Sequence, residues 1–114
     1  MRKNDVIYLK HILDAISRIE EYVKGVKRED YMRNNLLQDG VIRQIEIMGE
    51  AAKRLSSEIK EKYPNLPWKD MAGMRDKLIH DYFGVDLDAV WETVEKDIPL
   101  LKREVKKIIK REKN

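Results

Sequence analysis

Between Arg75 and Tyr82 the chain carries an arginine, two carboxylates, a histidine and a tyrosine on otherwise helix-compatible sequence, Met74-Arg75-Asp76-Lys77-Leu78-Ile79-His80-Asp81-Tyr82. At about 100° per residue, Arg75 and Tyr82 are nearly eclipsed on a helix, and Asp76 and His80 form an i, i+4 pair on the neighbouring stripe. Histidine exchanges a proton near neutrality without large perturbation, and Asp76 is spaced to orient that imidazole and raise its pKa. Arg75 is a permanent planar cation suited to a phosphodiester and the negative charge that develops on it. These are the ingredients of metal-free RNA cleavage. The 2′-hydroxyl is the internal nucleophile, so a base, an acid and a charge stabiliser suffice, and DNA is inert. One chain supplies a single histidine here, so the base and acid roles are most easily filled where two copies meet. The same spacing also fits a helix-terminal ion-pair cluster, Arg75 with Asp76 or Asp81 and His80 near a helix C-terminus. Spacing alone leaves both readings open.

Other chemistries lack their residues. The chain has no cysteine, which excludes a disulfide framework, a thiolate zinc site and a cysteine nucleophile together. Neither His11 nor His80 sits in a metal-ligand pattern such as H-E-x-x-H, and no P-loop, G-x-G-x-x-G or G-x-S-x-G occurs. No metal and no cofactor are expected, and His11 reads as a surface residue.

The elements that position this segment read as helices, because 5 glycines and 3 prolines leave few breaks and apolar residues recur at three and four. Val6, Leu9, Leu13, Ile16, Ile19 and Val23 mark a first helix, with Asn4 or Asp5 as N-cap and Gly25 as terminator. From about Asp30 to Tyr63-Pro64 the stripe Leu37, Val41, Ile45, Met48, Ala52, Leu55 and Ile59 predicts one helix of about thirty residues, roughly 45 Å. A helix that long outreaches one core, so a second copy is expected to cover Leu36, Ile42 and Ile47. Pro67 suits the first turn of a third helix, which carries Trp68, Met71, Arg75, Leu78, Ile79 and Tyr82 and ends at Gly84. Asp86 can cap a fourth, through Leu87, Val90, Trp91, Val94, Ile98, Leu101, Val105 and Ile108, which Pro99 kinks or splits. Trp68 and Trp91 fall on apolar stripes and read as core.

With 114 residues the chain is expected to form one domain, 1–114, rather than a multidomain enzyme. Charged residues make up 39% of it and no apolar run can span a bilayer, so a soluble, cytoplasmic protein without membrane contact is expected. The net charge of +3 is too small to argue for nucleic acid by itself, but the basic excess concentrates at the C-terminus. Lys102, Arg103, Lys106, Lys107, Lys110, Arg111 and Lys113 face only Glu104 and Glu112 there, either as a solvated helix face or as phosphate contacts.

Arg75, His80 and Tyr82 match the pattern R-x-x-x-x-H-x-Y. Ile47-Met48-Gly49-Glu50-Ala51-Ala52, Pro67-Trp68, Met71-Ala72-Gly73-Met74-Arg75, Val85-Asp86, Val90-Trp91 and Asp97-Ile98-Pro99-Leu100-Leu101 supply further blocks in order. With these the chain resembles the HEPN superfamily (higher eukaryotes and prokaryotes nucleotide-binding domain), and within it the HepT-like branch, over nearly its whole length. The resemblance implies an all-α antiparallel bundle of four to five helices, forming a homodimer with two motifs facing across a cleft. It implies a metal-independent endoribonuclease acting as the toxin of a HepT/MNT toxin–antitoxin pair, with His80 transferring protons and Arg75 on the scissile phosphate. Cleavage would leave a 2′,3′-cyclic phosphate on the RNA. The implied partner is an MNT-type nucleotidyltransferase antitoxin that transfers AMP to the motif tyrosine, here Tyr82. The alternative is a non-catalytic helical dimer serving as scaffold or substrate-recognition subunit for that nucleotidyltransferase. One departure is Asp76, where the branch often has Asn: it either opposes an RNA phosphate, pairs with Arg75 or holds His80.

Overall fold

Amphipathic helices of this kind must hide their apolar stripes against one another. The structure, a computed structural model, describes residues 2–80 and 84–112, and every regular element among them is helical. In chain order these are α1 (Lys3–Val23), α2 (Arg28–Met32), α3 (Asn35–Arg54), α4 (Ser57–Lys62), α5 (Trp68–His80), α6 (Leu87–Glu92) and α7 (Ile98–Glu112). A wider, π-wound turn, Thr93–Asp97, joins α6 to α7 without a break. The all-α bundle expected from the sequence is therefore present: long rods from α1, α3, α5 and the α6–α7 unit, with α2 and α4 as short connectors.

α3 is the central element, packed along α1 on one side and α5 on the other, while α7 lies against α1. Leu9, Ile12, Ile16 and Ile19 of α1 meet Val41, Ile45, Met48 and Ala52 of α3 and Leu101, Val105 and Ile108 of α7 in one core. Trp68 and Trp91 are buried in it as expected. Trp91 stacks on Tyr31 with ring centroids 4.8 Å apart, and the Tyr31 hydroxyl donates to the Leu87 carbonyl at 3.3 Å. Burial pushes the Tyr31 phenol up to about 12, with the charge of Asp88 adding to it. An Arg28–Asp88 ion pair closes the same junction of α2 with α6.

The single long helix expected after Asp30 is three helices. Asn34 accepts from the Leu37 N–H at 3.0 Å and Ser56 Oγ accepts from the Ile59 N–H at 3.3 Å, so each restarts the winding. α3 keeps 20 residues, about 30 Å, and the length argument for a second copy falls with the correction. The apolar stripe still reaches the core beyond the second break, since Leu55 and Ile59 are buried.

Asp5 is not a cap. It lies within the first turn of α1, 2% exposed, and accepts from the Ser56 N–H at 2.8 Å and the Ser56 hydroxyl at 2.6 Å. That pair fastens the start of α1 to the start of α4. Gly25, at φ +71°, ends α1 as expected. Pro67 stands just outside α5, its carbonyl accepting the Met71 N–H at 3.0 Å, and Asp86 caps α6 through the Ala89 N–H at 3.1 Å. Pro99 does not interrupt the helical winding, which instead changes from a π-wound turn to α after Asp97. The Ile98 N–H reaches back five residues to the Thr93 carbonyl, and this wider winding accommodates a proline ring that would crowd an ordinary α-turn. α5 is described as far as His80, and Gly84, the expected terminator, stands outside any helix, with residues 81–83 between them outside the described residues. Among the described residues no helix is long and apolar enough to cross a membrane.

Candidate active site

α3 and α5 approach each other at Gly49. A Cβ built there would stand 2.2 Å from the Cβ of Arg75 and 2.7 Å from the Met71 carbonyl oxygen, so only hydrogen fits. This contact sets the root of Arg75 against the backbone of α3, where Glu50 is next in sequence. The guanidinium is then fixed from two sides: Nη2 reaches Glu50 Oε2 at 3.0 Å and Nη1 donates to Asp76 Oδ1 at 2.9 Å. Arg54 Nε donates to Glu50 at 2.9 Å and Lys53 Nζ donates to Asp76 at 3.0 Å.

The result is a line of alternating charge, Arg54, Glu50, Arg75, Asp76, Lys53, with a surplus cation. The hydrogen bond from Arg54 holds Glu50 below its ordinary carboxylate value, aided by the charge of Arg75. Hydrogen bonds from Arg75 and then Lys53 do the same for Asp76. Arg75 Nε is buried with no hydrogen-bond partner among the described residues, and the side chain as a whole is 23% exposed. Its remaining Nη hydrogens are the donors left for a ligand.

Arg75 opens on a groove of about 350 Å³ between α1, α3 and α5, whose walls include Tyr8, His11, Arg43 and Arg54. His11 is exposed at this rim, at the surface as expected. His80, the last described residue of α5, is exposed to solvent and does not line the groove. Among the described residues no hydrogen bond joins Asp76 to His80, so the expected orienting pair is absent and the pairing of Asp76 with Arg75 and Lys53 takes its place. Asp81 and Tyr82 lie outside the described residues. Lys53 and Arg54 were not singled out by the sequence, although Glu50, Lys53 and Arg54 at i, i+3 and i+4 share a helix face.

The arrangement can hold an anion at a fixed guanidinium while leaving an imidazole accessible about 1.4 helical turns further on. An approaching phosphate also meets Glu50 and Asp76, which limits its affinity. Among the described residues no three His, Cys, Asp or Glu side chains cluster closely enough to hold a metal ion. On α7, Lys102 pairs with Glu20 at 3.0 Å, and Lys107 and Arg103 pair with Glu104 at 3.6 and 3.9 Å, while Lys106 is exposed.

Known proteins resemble this chain over most of its length. Residues 12–108 match the family model described as ribonuclease HepT-like. A Methanocaldococcus jannaschii protein, named as a gamma-glutamylcyclotransferase and provisionally as an RNase, is 56% identical over 96% of this chain. The chain spans 49% of that protein's length. A Caldanaerobacter subterraneus protein with a provisional RNase name is 48% identical over 93% of this chain and 95% of its own. A Thermococcus cleftensis protein named "Probable ribonuclease HepT" is 44% identical over 96% of this chain and 100% of its own. No solved structure matches the chain. With a family match across most of the chain and relatives similar over nearly their full length, the chain belongs to the HepT-like ribonuclease family.

Proposed function

We propose that the protein is a metal-independent endoribonuclease, the toxin of a HepT/MNT-type pair, working as a homodimer in which two α5 segments face one another. The observation that carries this reading is Arg75, clamped by Glu50 and Asp76 at a groove and followed five residues later by an exposed His80. In the reaction, His80 of one copy takes the proton of the RNA 2′-hydroxyl, whose oxygen attacks the adjacent phosphorus. The P–O5′ bond breaks, His80 of the second copy protonates the leaving 5′-oxygen, and a 2′,3′-cyclic phosphate remains. Arg75 stabilises the charge on the phosphorane oxygens. AMP transfer to Tyr82 by an MNT-type nucleotidyltransferase would add bulk and negative charge two residues from His80 and silence the site.

The test is cleavage of mixed cellular RNA, including transfer RNA, in EDTA, by protein whose intact mass shows no AMP adduct, with His80→Ala beside it. Cutting by wild type and a loss of about 10²- to 10⁴-fold in the variant, at unchanged circular dichroism, supports the reading. Full activity in His80→Ala removes the histidine from the mechanism. No cutting by either protein turns the assignment to a scaffold for the nucleotidyltransferase.

A further inference from the structure

The groove beside Arg75 holds more than the proposed reaction uses. On α1, Tyr8 and His11 stand one turn apart with ring centroids 6.1 Å apart and planes at 79°, an edge-to-face pair on the groove wall. Across from them α3 contributes Arg43 and Arg54, and among the described residues no carboxylate pairs with Arg43. Arg54 is anchored by Glu50, which also holds Arg75, so Arg54 and Arg75 are set on either side of one carboxylate. Glu46 lines the same groove and keeps it from being uniformly positive.

Aromatic faces next to guanidinium groups are the chemistry that takes single-stranded nucleic acid. Bases stack on the rings and the phosphates between them follow the cations. The cavity, about 350 Å³, is of the size that encloses one small ligand. Duplex RNA, in contrast, is read by shape across two successive minor grooves, which needs a long convex or flat surface.

We infer that the groove between α1, α3 and α5 is a subsite for one unstacked nucleotide of single-stranded RNA, next to the phosphate held by Arg75. Tyr8 and His11 carry the base, and Arg43 binds the neighbouring phosphate. The subsite rests on the ribonuclease reading and gives it a substrate class, unpaired rather than duplex RNA. It involves no group that transfers a proton, so loss of the subsite weakens substrate binding and leaves the chemical step intact.

The experiment measures binding of a fluorescent 2′-O-methyl single-stranded oligonucleotide, which cannot be cleaved, together with KM and kcat on a single-stranded RNA. Arg43→Glu changes an exposed residue and is expected to weaken binding about tenfold and to lower the salt dependence by about one counterion. Tyr8→Leu keeps an apolar side chain but removes the stacking face together with the phenol's contact to Arg54, and about a tenfold loss is expected from it too. Both raise KM without lowering kcat, and a duplex of the same sequence binds more weakly than the single strand. Lys106→Glu, on the exposed face of α7, leaves binding unchanged. Wild-type affinity in both groove variants, or an equal loss from Lys106→Glu, overturns the subsite while cleavage by wild type keeps the ribonuclease reading. Wild type that neither binds nor cuts RNA overturns both.

Discussion

On the proposed reading, Arg75 is immobilised before a ligand arrives. Glu50 and Asp76 hold its two terminal nitrogens at 3.0 and 2.9 Å, so little side-chain entropy remains to be lost on binding phosphate. On that reading the cost is two negative charges beside an anionic substrate. Asp76→Asn keeps an oxygen that can accept from Arg75 and Lys53 but removes one charge, and on the proposed reading it should lower KM several-fold with kcat nearly unchanged. An unchanged KM would mean that no phosphate comes near Asp76. The same carboxylates make the cluster sensitive to acid. Both titrate lower in the folded protein than in the unfolded chain, so their stabilisation is complete above the ordinary carboxylate values, 4.5 for Glu50 and 3.8 for Asp76. It is lost as pH falls through the depressed folded values, and melting temperature followed from pH 6 to pH 3 should fall less steeply in Asp76→Asn than in wild type. The pairing of Arg75 with Asp76 is legible in sequence because the two are neighbours. Glu50 is not, because the fold has to bring α3 across before it meets Arg75.

At the scale of elements, the contact at Gly49 decides whether Arg75 reaches its partners. Alanine would favour an isolated helix by about 1 kcal/mol over glycine, yet here its methyl would lie 2.2 Å from Arg75 Cβ and 2.7 Å from a backbone oxygen. Backbone cannot swing aside as a side chain can, so α5 must move. Gly49→Ala is expected to lower stability by about 1–3 kcal/mol in urea unfolding and to reduce RNA cleavage more than the lost stability explains. A variant as stable as wild type would show that the two helices slide apart freely. The sequence revealed the helical period and the caps at Gly25 and Asp86, but not the breaks around α3. The stripe from Leu37 to Ile59 continues in phase across Leu55-Ser56, because a cap that resets the winding within two residues leaves the same face inward. Asn34 and Ser56 carried the signal as cap-forming residues, not as gaps in the pattern. Asp5 showed the converse: a good capping residue was taken by a partner 51 positions away, a choice only tertiary packing makes. Asp5→Ala should cost about 1–3 kcal/mol, since it strands the Ser56 N–H and hydroxyl inside the α1–α4 junction.

For the whole molecule, the proposed reaction sets how many chains make one site. Each 13.6 kDa chain brings one histidine to the motif, and the reaction proposed here needs a base and an acid at the same phosphate. The proposed dimer would use the surface beside His80. Ile79, its neighbour, is 38% exposed, and Leu78, Ile42, Val85 and Leu87 are partly buried in an adjoining groove between α3 and the start of α6. The shared-cleft reading therefore makes a quantitative demand. Light scattering at micromolar concentration should give about twice the chain mass, and specific activity should fall on dilution at the same concentration at which the mass halves. Ile79→Glu, which puts a charge on the apolar patch where it borders the groove of Arg75, should yield a helical monomer with little cleavage. Activity that restores when the variant is forced together by a covalent tether would assign the loss to dissociation rather than to damage at the site. A monomer that cuts RNA at the wild-type rate per chain would instead place both proton transfers on one subunit, with His80 acting twice or a second group serving beside it.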